Sequence, residues 1–402
     1  MVNSLLLLAG LLQAAGTAAP VVSHAGLDAG AAVVADVPLM SLKGWFGASR
    51  GPLEAGLQAP IRFDIAGGSL RERDWDEISD LGRLVRFLRY TPWIEIGELN
   101  EATLGNGTIV RRYHNNIDDD HRRTAARLRI NVDKFEVDGF IDHLLDDPII
   151  AGRAGLVLGE FGVGGTFATD TGAPIFVDGT ADEAGNLKGD TDLRAMYGID
   201  FRWTASDTPT FKGTVYGDFN ALQNGNPGAH GGLLMQFPTK DGLWMTVRLE
   251  GMWFGDRYDW AVFDMGYLID RWSLKWARIE EYPSSFGGRF GFSLDYQQAL
   301  VLGAEYANTT DLDRSDFSLW LRIPHKNVRL SGIWRRRFAD PDALPVDVEQ
   351  AMAAGSVGIK LGPFGWLDGT VARMYRTTEY STGNSVYEPF NEASIILQML
   401  FF

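Results

Sequence analysis

The chain has 402 residues, with 37 Lys and Arg against 52 Asp and Glu, a net charge of −15 and a pI near 4.9. An acidic excess of this size argues against a nucleic-acid partner, whose phosphates call for clustered Lys and Arg. The absence of cysteine excludes disulfides, thiolate metal sites and cysteine nucleophiles, and 47 Gly beside 12 Trp, 12 Tyr and 23 Phe is not a disordered composition.

The first residues predict export. Leu5–Leu8, Leu11 and Leu12 form a short apolar core followed by small residues, and Ser23-His24-Ala25 reads as a small-x-small cleavage site, with Gly16-Thr17-Ala18 as the other option. This gives a signal peptide over 1–25, a short periplasmic N-terminal segment over 26–52 and a barrel over 53–402. Past Leu27 no charge-free apolar run approaches the ~20 residues of a spanning helix.

From Leu53 the dominant period is two. Leu53, Ala55, Leu57, Ala59, Ile61 and Phe63 alternate with Glu54, Gln58, Arg62 and Asp64, and the same rhythm returns over 124–132, 211–219, 243–253, 286–294 and 317–323. Each run holds about ten residues, which at ~3.3 Å per residue and a ~40° tilt covers ~25 Å, the height of an outer-membrane apolar band. Strands cross lipid only as a closed barrel, because every backbone N–H and C=O needs an internal partner. The fold expected is therefore all-β, a transmembrane antiparallel up-and-down β-barrel with an even number of strands, about 16–20.

The connections alternate in length. Turn-like pieces stand at Gly105-Asn106-Gly107, Asp133-Lys134, Leu158-Gly159-Glu160, Lys240-Asp241-Gly242, Asp270-Arg271, Pro324–Asn327 and Gly362–Gly365, and generally longer pieces lie between them. Short periplasmic turns and longer outer loops are the expected asymmetry. Segment 74–90 departs from period two: Trp75, Ile78, Leu81, Val85 and Leu88 recur at three to four, which predicts an amphipathic helix. It either narrows the mouth, with Arg83, Arg86 and Arg89 as a constriction, or lies on the rim.

On the polar face of the strands, Arg123, Arg127 and Arg129 precede Lys134, Glu136 and Asp138, followed by Asp200 and Arg202, Arg248 and Glu250, then Arg289 and Asp295. These are the candidate lumen residues. They set a charge-selective field or merely keep the interior solvated, since both ask for the same side chains. His114 and His121 flank Asp118–Asp120, and His143 lies beside Asp142, Asp146 and Asp147, but the spacing fits no metal motif and no metal or other cofactor is expected. No Ser/His/acid arrangement points to an enzyme.

The chain ends on Ala393, Ile395, Leu397, Met399 and Phe401 along one face, with Phe402 last. In this it resembles porin-like Gram-negative outer-membrane β-barrel proteins, whose final strand commonly closes on a Phe. The resemblance implies recognition of Phe401 or Phe402 by the barrel-assembly machinery and residence among outer-membrane lipid. The expected function is a passive channel for small hydrophilic solutes or ions. The competing reading is a non-conducting structural barrel that anchors or forms part of an envelope-spanning assembly. Homo-oligomers and envelope partners are left open.

Overall fold

A computed structural model describes residues 20–401 apart from 35–36, 77, 117–122, 178, 181–188, 224, 273–274, 298, 311–314, 338–350 and 382–383. Twenty antiparallel strands form one ring: β1 (Val22–Val34), β2 (Val37–Arg50), β3 (Leu53–Asp64), β4 (Val85–Tyr90), β5 (Ile94–Gly97), β6 (Ala125–Val132), β7 (Phe135–Ile141), β8 (Ile149–Leu158), β9 (Phe161–Val177), β10 (Gly189–Thr208), β11 (Phe211–Leu222), β12 (Pro227–Pro238), β13 (Leu243–Phe254), β14 (Ser285–Tyr296), β15 (Leu300–Thr309), β16 (Ser315–Pro324), β17 (Val328–Arg337), β18 (Ala351–Lys360), β19 (Gly365–Ser381) and β20 (Asn384–Phe401). Each pairs with its sequence neighbour, and β20 returns to β1 through Ala25↔Phe401 to Val34↔Glu392, which closes the barrel.

Alternation sorts side chains onto two surfaces. Val163, Ile199, Val215, Leu249, Phe290, Leu302, Val357, Val371 and Ile395 are exposed and point outward. Outward aromatics mark two levels: Phe135, Phe161, Trp203 and Tyr296 near one rim, and Phe167, Tyr197, Phe219, Trp253 and Phe286 toward the other. This is the apolar band between aromatic girdles that lipid requires. An Arg facing lipid at the midplane would cost about 2–4 kcal/mol, so the phase of alternation assigns the charged face to the lumen. Among the described residues no helix is long and apolar enough to cross a membrane.

Tight turns gather at one end, at 51–52, 133–134, 159–160, 239–242, 361–364 and beside Gln297. Positive φ at Gly51, Asp133, Gly159, Gly242, Gln297 and Gly362 makes these reversals. The longer connections lie at the other end, the outer one.

Three expectations need correction. Segment 26–52 is not a periplasmic extension. It supplies most of β1 and all of β2, whose inward positions Gly26, Asp28, Lys43 and Trp45 alternate with outward Leu27, Met40 and Leu42. Segment 74–90 is not one helix. Two 3₁₀ turns, Glu72–Asp74 and Ile78–Leu84, lead into β4, where Arg89 pairs with Glu54 in register. The turns read at Gly105–Gly107 and Asp270-Arg271 do not join barrel strands; both lie in segments that fold into the lumen. Phe402 and most of the presumed signal lie outside the described residues, as do His121 and Asp118–Asp120.

Candidate functional site

Two connections enter the lumen from the outer mouth, one between β5 and β6, described over 98–116 and 123–124, and one between β13 and β14, described over 255–272 and 275–284. The second carries two short helices, α1 (Tyr267–Trp272) and α2 (Lys275–Ile279). The segments join through a parallel bridge, Val110↔Phe263 and Arg111↔Asp264, extended by Ala261 N–H donating to the Thr108 carbonyl at 2.8 Å. Their apolar side chains, among them Leu104, Ile109, Tyr113, Trp260 and Phe263, pack with inward wall residues such as Phe140, Ile149, Met196 and Phe254. Phe254 stacks on Trp260 with ring centroids 5.9 Å apart. Gly228 on β12 permits the approach of Tyr258, because a Cβ there would lie 2.3 Å from its ring.

Buried carboxylates on both sides tie these segments to the wall. Asp218 of β11 accepts from Asn106 Nδ2 and Thr108 Oγ1, each at 3.0 Å. Glu250 of β13 accepts from Tyr216 and Arg289 and lies 3.0 Å from His230 Nδ1, while His230 Nε2 is 2.9 Å from the Tyr258 hydroxyl. Asp142 accepts from Tyr113 Oη at 2.5 Å and Arg123 Nη1 at 2.8 Å. Burial and the Asp142 charge hold the Tyr113 phenol well above its usual range. Asp170 of β9 accepts from Tyr267 Oη at 2.7 Å and takes the Arg271 fork at 2.7 and 2.9 Å. Asp264, within the second segment, accepts from Arg335 of β17 at 2.5 Å. A buried charge unpaired here would cost several kcal/mol, so each hub fixes one segment at one place on the wall.

The predicted lumen residues divide accordingly. Arg127 and Asp138 face inward as a bidentate pair at 2.9 and 2.7 Å. Glu136 receives Arg153 at 3.1 Å and Arg202 at 2.5 Å, and Arg153 forks onto Asp200 at 2.9 and 2.6 Å. Arg248 donates to the Asn106 carbonyl at 2.6 Å, joining the Glu250 and Arg289 hub. Arg129 is exposed within the lumen face. Arg123 stands in the inward segment's stem rather than on β6, and Lys134 is exposed in a turn. Asp295 lies near the periplasmic end of β14, opposite Trp244.

The proposed constriction does not act as one group. Arg83 is buried against Asp80 at 2.9 Å and lies 3.8 Å from Asp74. Asp74 also holds Arg62 at 2.5 Å and Arg71 at 2.9 Å; burial works against its charged form, but the three guanidiniums outweigh it and lower its pKa. Arg86 stacks over Trp45 at 4.0 Å, and exposed Arg89 meets Glu95 at 3.0 Å. With Arg127, Arg129 and Glu98 these two line a recess of about 130 Å³. Sequence reading missed Arg153, Asp142, Asp170, Arg271 and His230. Of these, Arg153 was findable from its phase with Ile149 and Ala151, whereas the others acquire meaning only through segments distant in sequence.

The opposite wall is lined differently. Arg322, Ser331, Ser356, Thr370, Ser394 and Ala32 stand in one register row across β16–β20 and β1, all inward. Ser331 and Ser356 hydroxyls lie 2.7 Å apart, as do those of Thr370 and Ser394, and Ser331, Thr370 and Arg322 are exposed although they face the interior. Small hydroxyls leave room where the other half is filled.

Neither a protein-family model nor a curated protein sequence matches the chain. Solved outer-membrane barrels are similar over nearly the full length. OccAB3 of Acinetobacter baumannii is 11% identical over 95% of this chain and 99% of that one, with a TM-score of 0.38. OccK2 (OpdF) of Pseudomonas aeruginosa, solved in complex with glucuronate, is 9% identical over 96% and 98%, at 0.39. OmpT of Vibrio cholerae, in its trimer form, is 10% identical over 96% and 100%, at 0.33. The architecture itself rests on this chain's own register, closure and surface. An even-stranded closed barrel with a girdled apolar exterior is an outer-membrane protein of the Gram-negative type.

Proposed function

We propose that the protein is a channel for passive diffusion of small hydrophilic solutes or ions, with its passage narrowed by the two inward segments and running along the β16–β1 wall. The observation that carries this is the inward row of Arg322, Ser331, Ser356 and Thr370 inside a closed barrel, in which Arg322, Ser331 and Thr370 are exposed and Ser356 is half-buried. Arg–carboxylate pairs line the filled half and give the passage a fixed field that sorts solutes by charge. A non-conducting barrel asks for polar groups locked together across the whole lumen, and the hydroxyl row departs from that. Export by the N-terminal signal and insertion by the assembly machinery through the strand ending at Phe401 belong to the same reading.

The test is single-channel conductance of the refolded barrel in a planar bilayer under a salt gradient. Steady, reproducible steps are expected. Silence from protein shown to be folded would overturn the channel and leave the structural barrel.

A further inference from the structure

Strands β9 and β10 form one hairpin, β19 and β20 another. They stand ninth and tenth, nineteenth and twentieth in a ring of twenty, so their roots are diametrically opposed. Both rise past the wall. β9 pairs with β8 only as far as Asp170, and β10 with β11 only as far as Met196. β19 pairs with β18 as far as Arg373, and β20 with β1 as far as Glu392. Beyond those residues each hairpin leaves the ladder of the wall as an arm, though its base stays tied down through Thr171, Ala195 and Met374, and it is paired internally through Val177↔Gly189 in one and Ser381↔Asn384 in the other.

The arms meet. Gly179 pairs antiparallel with Tyr380, and Thr180 with Glu379. The distances allow this only across the opening. Twenty strands ~4.8 Å apart and tilted ~40° make a ring ~40 Å wide. From Asp170 to Gly179 and from Arg373 to Tyr380 the arms extend ~3.3 Å per residue, a combined reach of about 50 Å.

Helix α1 touches both roots. Its Arg271 donates to the Gly172 carbonyl at 2.6 Å and forks onto Asp170. On its other side Ile269 packs with Met352 and Met374, and Met374 is the first residue of the second arm beyond the wall.

We propose that the two arms form a strap closed over the outer mouth, which limits the size of solute that enters and is seated by α1 beneath it. Among the described residues the strap holds by two facing pairs, a junction that can open and reform while the barrel stays intact. This rests on the channel reading and adds a gate to it.

The native chain has no cysteine, so a designed cross-link is clean. In an antiparallel ladder successive facing pairs alternate between Cα separations of ~5.5 and ~4.5 Å, and both fall within disulfide range. The double variants Gly179→Cys/Tyr380→Cys and Thr180→Cys/Glu379→Cys sample the two geometries. The full-length barrel, refolded into liposomes, is oxidised and then reduced, and entry of a monosaccharide and of a trisaccharide is followed by swelling. The expected result is a cross-link in at least one variant, with trisaccharide entry at least tenfold lower when oxidised, recovering on reduction, and the single-cysteine variants unchanged. A cross-link that leaves entry of both sugars unchanged overturns the gate. No cross-link in either folded variant overturns the strap. If the wild type admits neither sugar and passes no ions, the channel reading fails and the gate with it. Cross-link yield separates that case from a failed strap, because it reports the meeting of the arms whether or not anything flows.

Discussion

Arg271 of α1 holds Asp170 of β9 by both nitrogens of its fork, at 2.7 and 2.9 Å, with both side chains almost wholly buried. The pair joins a helix inside the lumen to the wall strand where the first arm departs. Asp170→Ala strands a buried guanidinium and should weaken the seating of α1 by about 3–5 kcal/mol while the barrel still folds. The expected readout is noisier, larger conductance together with protease cleavage within 255–284. Conductance and cleavage both unchanged would mean the pair does not seat the segment.

Arg127 and Arg129 make different contributions to the same field. Arg127 is offset by Asp138, whereas exposed Arg129 has no ion pair among the described residues. Replacing either with Ala removes one positive charge and should move the reversal potential toward cations; Asp138→Asn should move it the other way. Arg127→Ala should also lower thermal stability, because it leaves Asp138 unpaired, and Arg129→Ala should not. Reversal potentials that all coincide with the wild type would remove these residues from the passage.

Two histidines make docking of the inward segment sensitive to acid. Burial pushes His114 down to about 4, with Arg112 adding to the effect and Glu101 opposing it. Burial and then Arg123 lower His143. Free imidazole titrates near ~6.5, so between about pH 6.5 and 4 an undocked segment gains protons that the docked one refuses. Docking should therefore be unaffected above neutrality and weaken as pH falls through that window. Hydrogen exchange over 98–116, corrected for intrinsic pH dependence, should be faster at pH 5 than at 7.5, with the difference reduced in His114→Gln/His143→Gln. Equal corrected rates at both values would count against it.

Signal cleavage after Ala25 would remove Val22–Ala25, which pair with Ser49–Phe46 in β2. Cleavage after Ala18 spares the strand. The intact mass of protein extracted from outer membranes is expected to match a first residue of Ala19. A mass matching Gly26 would mean that β1 begins later than its register with β2 indicates.

Much of the barrel was legible because lipid and water impose period two on every crossing, as at Leu53–Asp64 and Ser285–Tyr296. The range of 16–20 strands includes the observed twenty, though not through the same segments. Tyr258, Trp260 and Val262 alternate as a strand does, but the chain bends over 260–262, with positive φ at Ala261, and their side chains are buried in a core inside the lumen. β1 is nearly free of charge, so its first four residues read as leader and the rest as a periplasmic segment, while β4 and β5 span only six and four residues, too short to carry a period. The site was less legible than the wall. The phase of Arg127, Glu136 and Asp200 was visible, but their partners depend on register. The hubs at Asp142, Asp170 and Glu250 depend on where two long connections fold, which no local pattern specifies.

The seam between β1 and β20 has a consequence for biogenesis. Ala25 in the first strand of the ring and Phe401 in the last face each other in the antiparallel register. The contact that closes the cylinder spans all the strands of the ring, and loop closure is an entropic cost met before any contact repays it. Every earlier intermediate has two bare edges, each a template for pairing with another chain. Emergence of the last strand is therefore the committing event, and a chain truncated before it should aggregate or be degraded rather than form a smaller pore.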